Sequence, residues 1–252
     1  MANESSKMDF EYLAASPEFE KFSSALTKLT GVAMTLHSPS GEIRIAYGDG
    51  TENPLCRLIQ ASKDGRRRCD LCDRTHSRKA GELGKSLLYK CHAGFFDMAI
   101  PIIVEGQHVA SISSGQLLPE PPSKARLPSV IRRLSWLGYS KTSLEKAYRA
   151  APSMSRKKAQ HLMTLLESFA LQLCECLRQI RELESKVERN ELRKAKDYVA
   201  RRFADPELGL IETAVYAGLS PAHFSHMFKV SLGISFTHYV QSVRIKKATH
   251  LL

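Results

Sequence analysis

A run of apolar residues at heptad spacing lies in the second half of this 252-residue chain. Successive positions are separated by four, three, four, three, four, three and four residues, in the set Leu162, Leu166, Phe169, Leu173, Cys176, Ile180, Leu183 and Val187. A strict 3.5-residue repeat of this length predicts one long helix. It favours a two-stranded coiled coil, and therefore a homodimer through residues 162–187. The alternative is a single amphipathic helix whose first turns pack against the preceding domain.

This predicted helix divides the chain into three parts. Residues 8–150 precede it, residues 153–189 form it, and residues 190–252 follow it. At 43% apolar content, each flanking part has enough apolar material to bury a core of its own. No stretch approaches the roughly twenty continuous apolar residues of a membrane span, and the N-terminal MANESSKMDF has no apolar signal core. We therefore expect a cytoplasmic protein without membrane association.

The part before the long helix has the pattern of a small mixed domain. An opening helix is predicted near residues 10–29, and five strands are predicted at residues 31–36, 42–47, 87–94, 96–104 and 108–117. Pro39 and Gly41 mark a turn between the first two strands, and the tripeptide EGQ marks one between the last two. The pattern predicts an α+β domain in which helices cover one face of an antiparallel sheet.

Four of the six cysteines fall in this domain, namely Cys56, Cys69, Cys72 and Cys91. Thiols stay reduced in the cytoplasm, so these residues indicate metal ligands rather than disulfides. The CDLC pair can hold a metal ion from two sides, and two further thiolates would complete a tetrahedral site, so we predict one Zn²⁺ per chain. We expect His92 to point away from this site, because neighbours on a strand face opposite sides. The alternatives are core cysteines with an unmetallated dithiol, an iron-sulfur cluster, or a redox switch.

The segments CDLCDR and CHAGFFDMAIPI, together with Gly115 and Gln116, resemble the PocR sensory domain, a PAS-like module, over roughly residues 10–148. The resemblance implies a domain that senses small molecules, with hydrocarbon derivatives such as short diols as the expected effectors. A pocket over the sheet could hold such a ligand between polar groups and aromatic walls. The candidate ligand-binding residues are Tyr89, His92, Phe95, Phe96, Asp97, Ser114 and Gln116. The alternative is that these residues are ordinary core and capping residues.

Beyond the long helix, apolar residues recur at three- and four-residue spacings on both sides of Gly218. They are Ile211, Ala214, Val215, Leu219, Phe224, Met227 and Phe228. Gly218 can take a positive φ, Ser220 can cap a following helix, and Pro221 fits the first turn of that helix. The pattern predicts two packed helices joined by a tight turn. An ordinary helical hairpin with a solvated face is the alternative.

The stretch GLSPAHFSHMFKVSLGISFTHYVQSVRIKKATHLL resembles the first helix-turn-helix and connecting helix of the AraC family of bacterial transcription regulators, in a match that begins near Leu192. The resemblance implies that the second helix enters the major groove of promoter DNA. The candidate DNA-binding residues are Pro221, Ala222, His223, Ser225, His226, Lys229 and Arg244. Ala222 and Ser225 discriminate weakly between bases, so we expect this helix to bind DNA with modest sequence specificity. The family carries two such units and the second is absent here, so we expect a truncated DNA-binding domain.

A net charge of +11 fits a polyanionic partner without singling out DNA. The three consecutive arginines at residues 66–68 are predicted to lie in a solvated turn. We expect no catalytic residues, because no third group orients a base near Cys91 and His92 and no phosphate-binding glycine loop is present. The sequence therefore predicts a ligand-responsive, DNA-binding transcription regulator. The alternatives are a metal- or redox-sensing regulator that uses the cysteines, and a sensory adaptor that does not bind DNA.

Overall fold

The protein is described from a computed structural model that covers residues 2–42, 44–47 and 53–249. The helices are α1 (Ala2–Ala14), α2 (Pro17–Thr30), α3 (Pro54–Ala61), α4 (Lys63–Leu83), α5 (Leu127–Leu134), α6 (Lys141–Arg149), α7 (Arg156–Arg202), α8 (Leu210–Ala217), α9 (Pro221–Leu232) and α10 (Phe236–Thr249). The strands are β1 (Met34–His37), β2 (Arg44–Tyr47), β3 (Leu87–Lys90), β4 (Phe96–Val104) and β5 (Gln107–Leu117). The chain divides into two compact units, an N-terminal unit, Met1–Arg178, and a C-terminal unit, Gln179–Leu252.

The five strands form one antiparallel sheet, as the sequence predicts, and their order is β2-β1-β5-β4-β3. The β4–β5 hairpin is its longest pair, with Ile100 opposite Ile112, and the register shifts between Phe96 and Asp97. The prediction for the third strand was too long. Strand β3 ends at Lys90, and the following residues form a turn that becomes important for the site.

One face of the sheet is apolar and carries the main core of the N-terminal unit. Met98, Ile100 and Ile102 alternate along β4 and are almost fully buried. They share a cluster with residues of α1, α2 and the first half of α7. The period-two alternation of β4 places these side chains on one side, and three amphipathic helices cover them.

Helix α4 lies against the opposite face, where the strand residues are small or polar. Ser111 Oγ donates to the Ser77 carbonyl oxygen, and it lies 2.8 Å from His108 Nε2. A Cβ atom at Gly81 would overlap the His108 ring, so glycine allows the helix to approach the sheet closely. Helices thus cover both faces, whereas the sequence predicted one covered face.

A second, smaller cluster lies beside the sheet and involves α3, α5 and α6. It contains Leu55, Cys56, Phe95 and Leu144, which are all buried. This cluster anchors α3 and the residues just before β4, and both help to form the site described below.

Helix α7 is longer than the predicted residues 153–189. In its first half Leu162, Leu166 and Leu173 are buried in the N-terminal core, and Phe169 stacks on Phe22 with ring centroids 3.8 Å apart. In these turns α7 therefore packs against its own domain, which was the alternative to the coiled coil.

Further along α7, the positions of the heptad pattern no longer coincide with the buried positions. Cys176 is exposed and Leu177 is buried in its place. Leu183 is 61% exposed and Val187 is 55% exposed. The coiled coil stays a prediction, and the side chains available for it are those near residues 180–187.

The C-terminal unit packs α8, α9 and α10 with the end of α7 around Phe224, Phe228 and Phe236, whose rings meet at 5.3 to 5.5 Å between centroids. Gly218 ends α8 with φ at 84°, and Ser220 Oγ accepts the His223 amide at the start of α9. These residues take the positions that the sequence predicts for them.

Two of the predicted core residues in α8 are placed differently. Ile211 and Val215 are each 68% exposed, whereas Thr213, Ala214 and Ala217 are buried. A short helix can bury only one face, and the small residues allow the close approach to α9. The expectation that Ile211 and Val215 pack in the core was therefore wrong.

Candidate functional site

A small polar cavity of about 30 Å³ lies between α3, α4, the turn after β3, and the adjoining ends of β4 and β5. It is lined by Cys56, Ile59, Gln60, Cys69, Cys72, Asp73, Cys91, His92, Ala93, Asp97 and Gln116. All four cysteines predicted as metal ligands line this one cavity. Three of the predicted ligand-binding residues, His92, Asp97 and Gln116, line it too. The structure thus brings together two sets of residues that the sequence analysis treated separately.

The turn at residues 91–95 explains how adjacent residues reach the same cavity. The Cys91 amide donates to the Phe95 carbonyl at 2.9 Å, and the Gly94 amide donates to the Cys91 carbonyl at 2.8 Å. Gly94 has φ at 87°, and Arg133 Nη1 donates to the Ala93 carbonyl at 3.2 Å. Because the backbone turns here, Cys91 and His92 both line the cavity. The expectation that they diverge assumed a strand that the chain does not form.

Helix α4 supplies the opposite wall. Cys69 and Cys72 are three residues apart, and this spacing places them on one helical face. Cys69 Sγ lies 3.2 Å from His92 Nε2. Cys72 Sγ accepts the backbone N–H of His92. Both thiols of the CDLC motif therefore contact the residue that follows Cys91.

A β-bulge positions the polar groups of β4 and β5. At the register shift Asp97 lies opposite Gly115, where a Cβ atom would come within 2.5 Å of Asp97 Oδ1. Gln116 has φ at 62°, and its Oε1 accepts the Asn53 amide at 3.2 Å. Asn53 Nδ2 donates to the Gln116 carbonyl at 2.7 Å, and Asn53 Oδ1 caps α3. The bulge and this bridge hold both side chains at the cavity.

Burial controls the protonation of the cavity thiols. It raises the pKa of the Cys91 thiol to about 12, and the nearby charge of Asp97 adds to this effect. Burial also raises the pKa of the Cys72 thiol to about 11. The pKa of His92 is lowered by burial and by the charge of Arg68. Without a cation in the cavity, Cys72 and Cys91 are therefore neutral thiols near pH 7, and His92 favours the neutral imidazole.

The other predicted ligand-binding residues lie elsewhere. Phe95 and Phe96 are buried in the two hydrophobic clusters, and Ser114 Oγ donates to the Ala33 carbonyl at 3.0 Å. Tyr89 is half-buried and lies opposite Asp97 in the β3–β4 pair. Burial of its phenol raises the pKa of that group, and its ring stacks on His76 at 3.5 Å between centroids. None of these four residues lines the cavity, and a role for them in ligand binding stays a prediction.

Sequence reasoning missed two polar residues of the cavity, Gln60 and Asp73. Each lies four residues after a cavity cysteine, Cys56 and Cys69 respectively. Residues four apart share a helical face, so the helical periodicity around the cysteines was the signal that could have identified them.

The C-terminal unit presents one uncovered face of α9. Its predicted contact residues Pro221, Ala222, His223, Ser225, His226 and Lys229 are all exposed, whereas Phe224, Met227 and Phe228 are buried beneath them. Arg244, also predicted to contact DNA, differs from these. Its Nε donates to the Phe203 carbonyl and its Nη2 to the Asp205 carbonyl, both at 2.8 Å. The Arg244 guanidinium therefore ties α10 to the segment that follows α7.

Within residues 2–42, 44–47 and 53–249, no helix combines the length and apolarity needed to cross a membrane. Within the same residues, no three His, Cys, Asp or Glu side chains already surround one point as metal ligands do. The Zn²⁺ site stays a prediction.

The chain thus combines an antiparallel-sheet domain that contains a small cavity with a separate helical unit that follows it. Residues 13–176 match the family described as "Sensory domain found in PocR". The chain therefore belongs to the PocR sensory-domain family. It is also 26% identical over 221 residues to "Regulatory protein PocR" of Salmonella typhimurium, an alignment that covers 79% of this chain and 69% of that protein. These similarities support the broader description of a sensory regulator. No solved structure matches the chain.

Proposed function

We propose that the chain is a ligand-responsive, DNA-binding transcription regulator of the AraC type, active in the cytoplasm and without catalytic function. The observation that carries this proposal is the exposed face of α9. It begins at a capped N-terminus after a tight turn, as a recognition helix does. Residues 220–249 contain four Lys and Arg residues and no Asp or Glu, so this segment favours a phosphate backbone.

Within that face the side chains differ in what they can contact. Lys229 suits a phosphate, and His226 can donate to a base edge or a phosphate. Ala222 can contact only a thymine methyl group. The face therefore supports binding that depends strongly on salt and discriminates modestly between sequences.

The sensing role belongs to the cavity of the N-terminal unit. We propose a small polar effector, with a short diol as the leading class, bound by Asp97 and Gln116. Carboxylate and amide oxygens accept hydrogen bonds from hydroxyl groups, and both side chains are fixed by the bulge and by Asn53. A volume of about 30 Å³ holds little more than one or two waters, so an effector must open the cavity on entry.

Opening of the cavity offers a route for regulation. Cys69, Cys72 and Asp73 belong to α4, which packs on the sheet whose other face is covered by α7. An effector that binds the open conformation more tightly than the closed one would shift the population toward it. Pairing of two chains through residues 180–187 of α7 would bring two DNA-binding units together.

The direct test is DNA binding by the full chain, measured by fluorescence anisotropy on a site selected from random DNA. Lys229→Ala should weaken binding to all sequences and reduce the salt dependence by about one released counterion. Lys146→Ala is the matched control, because Lys146 is an exposed lysine on α6 of the N-terminal unit. Equal affinities for the wild type and Lys229→Ala, or no salt dependence, would contradict the proposed role of α9.

The four thiols at the cavity favour a second candidate, a regulator that responds to a metal ion. This candidate differs from the first in the occupant of the N-terminal unit and not in the output at DNA.

A further inference from the structure

We propose that Cys69, Cys72, Cys91 and His92 form a Cys₃His site for one Zn²⁺ ion, with Cys56 as a core residue and not a ligand. The sequence alone predicted four cysteine ligands and excluded His92. The proposal concerns the N-terminal unit by itself and does not depend on DNA binding.

The spacing of Cys69 and His92 fits two ligands of one ion. Zinc–sulfur and zinc–nitrogen bonds of about 2.3 and 2.0 Å put two donors of a tetrahedral site roughly 3.5 Å apart. Cys69 Sγ and His92 Nε2 are 3.2 Å apart, although they come from α4 and from the turn after β3. A contact of this kind joins the two segments that carry all four proposed ligands.

The other two sulfurs lie close to the same histidine residue. Cys72 Sγ accepts the backbone N–H of His92, and Cys91 directly precedes His92 in the turn. All four side chains line one cavity of about 30 Å³. Binding of one ion requires these side chains to rotate until their donor atoms converge on it.

Backbone amides are directed at two of the three sulfurs. Cys91 Sγ accepts backbone N–H groups of Phe95 and Ala93, in addition to the bond between Cys72 Sγ and the His92 amide. Amides directed at sulfur stabilise the anionic thiolate and hold a ligand in orientation. Three thiolates and one Zn²⁺ leave a net charge of −1, and the positive charge of Arg68 acts on this region.

Cys56 differs from these three cysteines. It lies on α3 with only 6% of its surface exposed and belongs to the cluster that contains Leu55, Ile59 and Leu144. A buried cysteine in such a cluster packs as a small apolar residue. This assignment places Asp97 and Gln116 outside the set of metal ligands, so the ion and the proposed effector do not compete for the same groups.

Metal content and cobalt spectroscopy test the proposal on the full chain purified under reducing conditions. We expect one zinc ion per chain by mass spectrometry, and visible ligand-field absorption after replacement with Co²⁺. Cys69→Ser, Cys72→Ser, Cys91→Ser and His92→Gln should each lose the stoichiometric metal. Cys56→Ala and Cys174→Ala should retain it, which controls for the general loss of a thiol.

A further variant separates ligand loss from misfolding. His92→Cys should retain one metal ion and shift the Co²⁺ absorption toward that of a four-sulfur site. Absence of zinc and of Co²⁺ absorption in the wild type would overturn the proposal, as would a Cys69–Cys72 or Cys72–Cys91 disulfide found in its place. Loss of metal from Cys56→Ala together with retention by His92→Gln would also overturn it, in favour of four cysteine ligands.

Discussion

Cys69 Sγ lies 3.2 Å from His92 Nε2, although 23 residues separate the two in sequence. This contact joins the CDLC segment of α4 to the Cys-His-Ala-Gly turn after β3. Both motifs therefore line one small cavity in the sensory domain.

The turn that carries Cys91 and His92 depends on Gly94. A Cβ atom at Gly94 would overlap the Arg133 guanidinium, whereas one at Gly106, which also has a positive φ, meets nothing within 4 Å. Both Gly→Ala variants should lose about 1 kcal/mol or more of folding stability, because alanine is strained in the left-handed backbone conformation. Gly94→Ala should lose more stability than Gly106→Ala, because it also displaces Arg133 from the Ala93 carbonyl. Urea unfolding checks this, and equal losses would show that the Arg133 contact contributes nothing.

His108 should make the N-terminal unit sensitive to acid. Burial lowers its pKa below the ordinary value of about 6.5, so the folded protein resists taking up a proton that the unfolded chain accepts. The corresponding stability is complete above about pH 6.5 and is lost as the pH falls below that value. His108→Gln should flatten the dependence of melting temperature on pH between about pH 7 and 5. The exposed His238 supplies the control, and a His238→Gln variant with the same flattening would contradict the role of His108.

Substitution of a leucine by alanine should affect stability differently in the two halves of α7. Leu166 is fully buried in the N-terminal core, so Leu166→Ala should destabilise the fold by about 2–5 kcal/mol. Leu183 is exposed, and Leu183→Ala should change the stability of a single chain by less than about 0.5 kcal/mol. Chemical denaturation at low protein concentration measures both, and a similar loss at the two sites would show that α7 packs differently from the structure.

Dimerisation through α7 can be tested at the exposed end of the pattern. A Leu183→Asp and Val187→Asp double variant should yield monomers in light scattering if residues 180–187 form a coiled coil. Leu173 is unsuitable for this test, because it is buried in the core of its own chain. A dimer that persists in the double variant would place the contact elsewhere.

Arg244 should contribute to the stability of the C-terminal unit. Its loss leaves the Phe203 and Asp205 carbonyls without their charged donor, so Arg244→Ala should cost about 1–3 kcal/mol. Lys229→Ala, on the exposed face of α9, should leave stability within about 0.5 kcal/mol of the wild type. Thermal unfolding of the full chain distinguishes them, and equal stability of the two variants would contradict the structural role of Arg244.

The sequence predicts local structure well where pattern and turn chemistry agree. The five strands follow from β-prone runs and turn residues, and Gly218 and Ser220 have the geometry expected of them. The heptad pattern correctly predicted a long helix. It could not show whether Leu166 meets another chain or its own sheet, since both partners are equally apolar.

The cavity was predicted only in part, for a related reason. Spacing grouped the four cysteines, and resemblance suggested His92, Asp97 and Gln116, but neither showed that the two sets share one site. The error at His92 came from extending β3 beyond Lys90. A residue that follows a strand in a tight turn has no obligatory alternation, and only the backbone bonds of residues 91–95 show which way it faces.

We propose that occupancy of the N-terminal cavity controls DNA binding by the C-terminal unit. The most direct test is the Kd of the full chain for its selected DNA site, measured with and without each member of a panel of short-chain diols. The account predicts that at least one diol changes the Kd by about fivefold or more, and that Asp97→Asn reduces this response whereas the exposed control Asp64→Asn does not. A Kd that no diol changes, or a response that Asp97→Asn leaves intact, would contradict it.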